Sequence, residues 1–466
     1  ADVAGSLPAA MRALGHDVRI ALPHHGPIDD AAHDVRPLMR FDMRWGRRLI
    51  TVQVSETEVG GVPVYLLRGG PFFVPDDDFV YGSDADADVG RFLFFSAATL
   101  ELARCLSNES GWCPDVIHAN DWHAAALSYL LAQLAHDDPL DGTASLLSIH
   151  NMAYQGVGLM RHLKKAGLPQ VKHPLLRADD LADNSLAVGL AYADVLNAVS
   201  PRYAQEIQEP GDGHGLEDLL RARSSCLVGI LNGIDTDFWN PANPDVVAAP
   251  YDTHNLQRKV ANKIALQEEL GLPRLPDVPL LASVTRLVHQ KGIELLLAAG
   301  RRLLGERDLQ FVLLGTGVPE FEAEAGQLAD DFPEHVACIL AHDEVLARHI
   351  YAGADLFLMP SLYEPCGLGQ MIAMRFGTLP VVRKVGGLAD TVGPDSGFLF
   401  TDFTPDALQA AIEGALDLYR RDPEAWRTMQ HTAMSKDFSW AASARLYQAL
   451  YRRASDLRKE CNLAGG

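Results

Sequence analysis

The sequence predicts an α/β protein of two doubly wound domains, and three observations predict it. Short apolar runs recur along the whole chain, each ending in polar residues and each followed by a helix-length segment. The runs are apolar on both faces, as a parallel sheet buried between helix layers requires. A length of 466 residues also exceeds what one ordinary core holds, so two domains are expected.

In the first half the runs are D-V-R-I-A-L-P (17–23), D-V-I-H-A-N-D (115–121), L-L-S-I-H-N (146–151), V-L-N-A-V-S (195–200) and V-G-I-L-N-G (228–233). Ahead of them, residues 4–14 read as a helix with Leu7, Met11 and Leu14 on one face. In the second half come L-L-A-S-V-T-R (280–286), F-V-L-L-G-T-G (311–317), V-A-C-I-L-A-H (336–342), L-F-L-M-P-S (356–361) and L-P-V-V-R (379–383). Between the two sets lies N-P-A-N-P-D-V-V-A-A-P-Y-D (240–252), whose proline and polar content makes it the linker candidate. Domains of 1–240 and 241–466 follow, hinged near residues 240–255. Ligands of such sheets bind beyond the carboxyl ends of the strands, and two such edges can face each other across a cleft.

Composition narrows the function. With 48% hydrophobic and 22% charged residues the chain reads as globular. No basic-then-apolar signal opens it and no run is long enough to span a membrane. Forty Lys and Arg against 61 Asp and Glu give a net charge of -21, which argues against a nucleic-acid partner. Six scattered cysteines (Cys105, Cys113, Cys226, Cys338, Cys366, Cys461) show neither zinc spacing nor disulfide density, and a reducing, cytoplasmic setting fits them.

The polar residues at the first half's strand ends are Asp121, His150 with Asn151, Ser200 and Asn232. Each alone is as well explained by capping the next helix or fastening a loop. Gathered on one edge, they would line a pocket with hydroxyl-seeking donors and acceptors, which suits a neutral polyol such as a sugar. In the second half Arg286 ends a strand, and Lys291 follows just before the helical I-E-L-L-L-A-A-G. Two cations beside a helix N-terminus make a diphosphate clamp, with a solvated surface pair as the alternative. Gly315 belongs to G-T-G (315–317), a weak fragment of a nucleotide fingerprint. Gly386 and Gly387 in K-V-G-G-L-A-D-T either bring backbone N–H groups to a phosphate or make a plain tight turn.

Glu364 opens E-P-C-G-L-G-Q-M. Pro365 predicts a helix start there, which would put the carboxylate at the helix's positive end. There it could hold sugar hydroxyls and oppose positive charge at an anomeric carbon, cap the helix, or do both. Cys366 has no histidine close in sequence and reads as packing rather than as a nucleophile.

Seven collinear motifs then resemble a known family: H-A-N-D-W-H-A-A (118–125), S-I-H-N-M-A-Y-Q-G (148–156), V-S-P-R-Y-A-Q-E-I (199–207), L-N-G-I-D-T-D-F-W-N-P (231–241), R-L-V-H-Q-K-G (286–292), Y-E-P-C-G-L-G-Q-M (363–371) and G-G-L-A-D-T-V (386–392). The chain is similar to bacterial glycogen synthases and the starch synthases. The resemblance implies two Rossmann-like domains facing a cleft, the type B glycosyltransferase fold. It implies transfer of glucose from ADP-glucose to the non-reducing end of an α-1,4-glucan with retention of configuration, without metal or cofactor. It implies that Arg286 and Lys291 bind the diphosphate, that Glu364 and Cys366 lie at the donor site, and that His150 and Asn232 contact the transferred glucose near Asp121. Asn151, Gly367, Leu368, Gly315, Gly386, Gly387 and Tyr81 complete the implied substrate contacts. A final helix at about 440–455 would cross back onto the first domain.

Two positions depart from relatives of this fold: Ile372 stands where many carry a second acid, and Ala341 where some carry an adenine-stacking tyrosine. The resemblance also implies a first strand and a K-x-G-G-L loop ahead of Ala1. Without them the first sheet is expected to lack a central member, with little or no transferase activity and reduced stability, and restoring them is expected to recover ADP release. The rival readings are a phosphorylase, which would need a lysine-bound pyridoxal phosphate, and a glucan-binding protein without activity.

Overall fold

Parallel strands carry both halves of the chain, but the first half divides them in a way its apolar runs do not announce. The computed structural model describes residues 2–74, 79–82, 84–177 and 180–465. The chain separates into two units, Ala1–Ile230 with Trp440–Gly466, and Leu231–Ser439.

In the first unit, β1 (Ile20–Pro23), β2 (Arg36–Trp45), β3 (Arg48–Val59) and β4 (Val62–Arg68) form one sheet in the order β1-β4-β3-β2. A second, wholly parallel sheet holds β5 (Val116–Asn120), β6 (Ala144–Ile149), β7 (Val195–Ala198) and β8 (Leu227–Gly229) in that order. The sequence reading put strands of both sheets into one and saw none between residues 23 and 115. The reason is visible in β3, where Ile50, Val52 and Val54 are buried while Leu49, Thr51 and Gln53 face out. A half-buried antiparallel strand alternates, so it does not show as an apolar run. Gly60 and Gly61, with φ of 58° and 77°, turn β3 into β4 where Val59 pairs with Val62. A two-residue turn with both φ positive is the hairpin geometry that glycine serves best.

The helix Asp2–Ala13 forms where residues 4–14 predicted one, with Leu7 and Met11 buried. They pack with Leu146, Val195 and Ile230 and with Trp440, Tyr447 and Leu450 of the last helix, Trp440–Gly465. That helix is therefore part of the first unit's core. His118 ties it to the sheet, its Nδ1 2.9 Å from the Tyr451 hydroxyl and its Nε2 2.7 Å from the Ser148 hydroxyl. Burial pushes the His118 pKa down to about 3. This lies below the ordinary 6.5 of an unfolded chain, so on acidification the unfolded chain takes the proton first. The stability contributed is complete above that value and is lost as pH falls toward the folded pKa. Between pH 6.5 and 5 the loss from this group should be about 2 kcal/mol, read as a fall in the unfolding midpoint. His118→Gln should be less stable at neutral pH yet shallower in its pH dependence; an unchanged slope would contradict this assignment.

The second unit has one parallel sheet: β9 (Leu280–Val284), β10 (Gln310–Leu314), β11 (Val336–Ile339), β12 (Leu356–Met359), β13 (Leu379–Arg383) and β14 (Phe398–Phe400). Their order is β11-β10-β9-β12-β13-β14, which reverses direction between β9 and β12. Such a switch opens a crevice at the strands' carboxyl ends, since consecutive connections leave to opposite sides there.

The boundary between units is corrected from 240 to 230/231. Residues 231–239 pack into the second unit: the Trp239 ring lies 5.7 Å from that of Tyr351, Arg348 stacks on Phe238 at 4.5 Å, and Ile234 donates to the Phe438 carbonyl. The proline-rich 240–252 is no hinge either. Val246, Val247 and Tyr251 are buried, and the Tyr251 hydroxyl donates to the Phe376 carbonyl at 2.8 Å.

Candidate functional site

At the switch point of the second unit, three loops lock together. The segment after β9 carries Arg286 and Lys291 into the helix Ile293–Glu306, and the segment after β12 carries Ser361 and Glu364. Leu362 N–H donates to the Gln290 carbonyl at 2.9 Å, and the Gln290 side chain donates to the Tyr363 carbonyl at 3.3 Å. The third loop follows β13: Gly387 N–H donates to the Glu364 carbonyl at 3.0 Å. A side chain on Gly387 would lie 2.1 Å from the Cys366 carbonyl, so this approach admits glycine alone.

Lys291 Nζ lies 2.6 Å from Glu364 Oε2, which also accepts from the Ser361 hydroxyl at 3.0 Å. Glu364 is 5% exposed. The alternative of a helix cap does not hold, nor does the helix start expected at Pro365. The helix after Glu364 begins at Gly369, with Leu368 as its N-cap, and the carboxylate binds Lys291 and Ser361 rather than helix N–H groups. Residues 365–368, with Gly367 in the left-handed region at φ 72°, keep the chain out of the helix beyond Pro365. Arg286 stands exposed, with no ion-pair or hydrogen-bond partner for its side chain among the described residues. One cation is thus held by a buried carboxylate while the other is free to meet a ligand.

Asn232 belongs to this unit and not, as expected, to the first half's strand ends. Its backbone N–H faces the Cys366 sulfur, and its side-chain Oδ1 is buried without a hydrogen-bond partner. An unsatisfied buried acceptor is costly and is commonly a ligand's place. Burial pushes the Cys366 thiol up to about 12, so it stays protonated and is no nucleophile. Gly315 ends β10 so close to β9's exit that a Cβ would lie 1.8 Å from the Thr285 carbonyl, which explains that glycine by packing. Gly386 opens the short helix Gly386–Thr391.

In the first unit the carboxyl ends of β5 and β6 bring Asp121, His150 and Asn151 together. Asp121 has φ 52°, an uncommon conformation for a residue with a side chain. Its Oδ1 accepts from His150 N–H at 2.7 Å and Asn151 N–H at 3.3 Å, so it fastens β6's exit to β5's. Burial raises the Asp121 pKa above the ordinary value, tempered by nearby His150 and by those two N–H donors. Burial likewise lowers that of His150, whose Nε2 lies 2.9 Å from Asn120 Oδ1. Ser200 serves the plainer role, its buried hydroxyl accepting from Tyr203 N–H as a helix cap.

Tyr81 is exposed, its ring 5.5 Å from that of His123 and 6.3 Å from that of Phe92. Gly82 N–H donates to Asp88 at 3.0 Å, which holds this segment to the long helix Ala85–Ser110. His123 stacks on Trp122 at 4.2 Å, and Tyr154 lies exposed nearby. Sequence reading missed Ser361, Asn120, and this aromatic group around Trp122 and His123. Asn120, Trp122 and His123 all lie inside the quoted motif H-A-N-D-W-H-A-A, and Ser361 ends the run L-F-L-M-P-S, so each had a place in a motif or run but no partner to mark it.

Comparison with known proteins follows this geometry. A family model described as starch synthase catalytic domain matches residues 1–222, and one described as glycosyl transferases group 1 matches residues 271–429. The chain is 44% identical to a glycogen synthase of Anaeromyxobacter sp., over 97% of this chain and 95% of that one. It is 41% identical to a glycogen synthase of Moorella thermoacetica, over 98% and 94%. Among solved structures, the catalytic domain of starch synthase IV from Arabidopsis thaliana, bound to ADP and acarbose, superposes with a TM-score of 0.88 at 35% identity, covering 98% and 95%. A sucrose-phosphate synthase from Thermosynechococcus elongatus shares the fold, with a TM-score of 0.59 at 21% identity over 96% and 91%. Among the described residues no helix is long and apolar enough to cross a membrane.

Proposed function

Because the chain belongs to the glycogen synthase and starch synthase family of glycosyltransferases, we propose that it transfers glucose from ADP-glucose to the non-reducing end of an α-1,4-glucan, retaining the α configuration. The observation that carries this reading is the buried Lys291–Glu364 pair at the switch point beside an unpartnered Arg286. A departing nucleoside diphosphate gains negative charge as the glycosidic bond breaks, and cations fixed where that charge develops act chiefly in the transition state. Lys291, oriented by Glu364, would meet that charge together with Arg286. Glu364 would oppose the positive charge left at the anomeric carbon. Asn232, with its unsatisfied Oδ1, would take a hydroxyl of the transferred glucose.

In the first unit Asp121, His150 and Asn151 offer a polar strand-end cluster for sugar hydroxyls, and Tyr81 offers a ring face for a glucan. His150 is held neutral by burial and Asp121 is anchored by two backbone donors. This is a lining for a neutral polyol rather than for a phosphate. The solved starch synthase IV domain, bound to ADP and acarbose, supports the same ligand classes.

The test is direct: incubate the protein with ADP-glucose and glycogen and measure ADP. ADP release with label incorporated into glucan is the expected result, with UDP-glucose the poorer donor. Glycogen binding without ADP release would return the chain to the class of binding proteins. Equal turnover on UDP-glucose would overturn the donor assignment.

A further inference from the structure

A cavity of about 310 Å³ lies in the second unit, between the end of the helix Gly369–Arg375, the end of the helix Pro423–Ser435 and the segment around Thr236. Its volume is at the lower end of small-molecule sites. Two cations line it, Arg375 and Lys436, with the hydroxyl-bearing Thr236, Ser435 and Ser439 and one carboxylate, Asp437. We propose that this cavity binds a phosphate monoester of a short polyol.

Arg375 is the first anchor. Its Nε is fully buried and has no hydrogen-bond partner, and among the described residues the side chain makes no ion pair. A basic residue in a helix's last turn is ordinarily explained by the carbonyls exposed there. Arg375 donates to none of them, so that explanation does not account for it. Its outer N–H groups have no acceptor either among the described residues, and such a planar pair of donors at the cavity wall matches a phosphate's oxygens.

Lys436 is the second anchor. Its Nζ donates to the Thr391 carbonyl at 3.2 Å and lies 3.7 Å from Asp395, which fixes it in place while leaving donor capacity. The Asp437 carboxylate accepts from Ser439 N–H at 2.9 Å, turned toward its own loop. The Ser435 hydroxyl already donates to the His431 carbonyl at 2.7 Å and can only accept, so with Thr236 it favours a short ligand with hydroxyls of its own. Ile234 N–H donates to the Phe438 carbonyl at 2.8 Å, so the two chain segments forming this wall are already joined.

Titration calorimetry of the full chain at low ionic strength, with glycerol 3-phosphate, inorganic phosphate and glycerol as probes, tests the proposal. Glycerol 3-phosphate should bind more tightly than phosphate, and glycerol should not bind. Arg375→Gln should weaken binding by about tenfold, equivalent to about 1.4 kcal/mol, and Lys436→Gln should weaken it in the same direction. Lys436 follows the end of the helix Pro423–Ser435 and its side chain is about a quarter exposed (27%), so its variant carries the test if Arg375→Gln fails to fold. The variant Arg286→Ala should leave this binding in place, which separates the cavity from the switch-point cations. The proposal is overturned if no heat appears at millimolar probe, if glycerol binds as well as its phosphate, if Arg375→Gln and Lys436→Gln bind normally, or if binding disappears in Arg286→Ala.

Discussion

Replacing Lys291 by Ala should lower turnover by roughly 10²-fold or more, with a smaller change in KM. Its ammonium is held 2.6 Å from Glu364 at the sheet's switch point, so it is positioned before any ligand arrives. A positioned cation does most where charge develops, which for this reaction is the departing diphosphate. The same substitution should destabilise the second unit by about 3 kcal/mol, because it leaves a buried carboxylate with only the Ser361 hydroxyl as partner. Arg286→Ala separates the two effects. Arg286 is exposed and holds nothing together, so its loss should reduce turnover and leave the unfolding midpoint unchanged. If either variant raised KM alone at constant turnover, the cations would act in ground-state binding and the leaving-group role would fail.

The strands that frame these cations were legible because β9, β10, β12 and β13 are buried on both faces and show as unbroken apolar runs. The strands β2 and β3 were not, because their outer faces are wet and their residues alternate; β4, V-P-V-Y-L-L-R, is buried nearly throughout and its apolar run was passed over. Their signal was present in the alternation of L-I-T-V-Q-V and in the Gly60-Gly61 turn, but it has a period of two and not a run's continuity. The candidate residues themselves could be picked from their places at strand ends, yet their partners could not. Lys291 and Glu364 are 73 positions apart and meet only because β9 and β12 are neighbours, which is a fact of topology. Pro365 pointed to a helix start four residues early, since a proline fits a turn as well as a first helical turn. Asn232 follows an apolar run of the first half, but its neighbours in space are those of Cys366. Nothing in one sequence marks the left-handed backbone of Asp121, whose side chain meets two amides just beyond β6, 29 and 30 residues away.

Glu364→Gln should lower turnover by roughly 10²-fold while binding ADP at least as tightly as the parent chain. The two outcomes diverge because the carboxylate faces two ways. Toward Lys291 it is a counter-ion at 2.6 Å, and it offsets part of the charge that a diphosphate would otherwise feel. Removing the negative charge while keeping the side chain's shape should expose that cation more fully, strengthening ADP binding by roughly fivefold, equivalent to about 1 kcal/mol. Toward the reacting sugar, the lost charge no longer opposes the positive charge at the anomeric carbon, and the barrier rises. The amide can still accept from Ser361 and from Lys291, so the fold should hold and the unfolding midpoint should move little. Calorimetric ADP affinity measured beside turnover decides the matter. Loss of ADP binding in step with turnover would mean that Glu364 acts only by positioning Lys291, and unfolding of the variant would mean that the pair is structural. Tighter ADP binding with slower turnover is the result that only a carboxylate acting on the sugar would give.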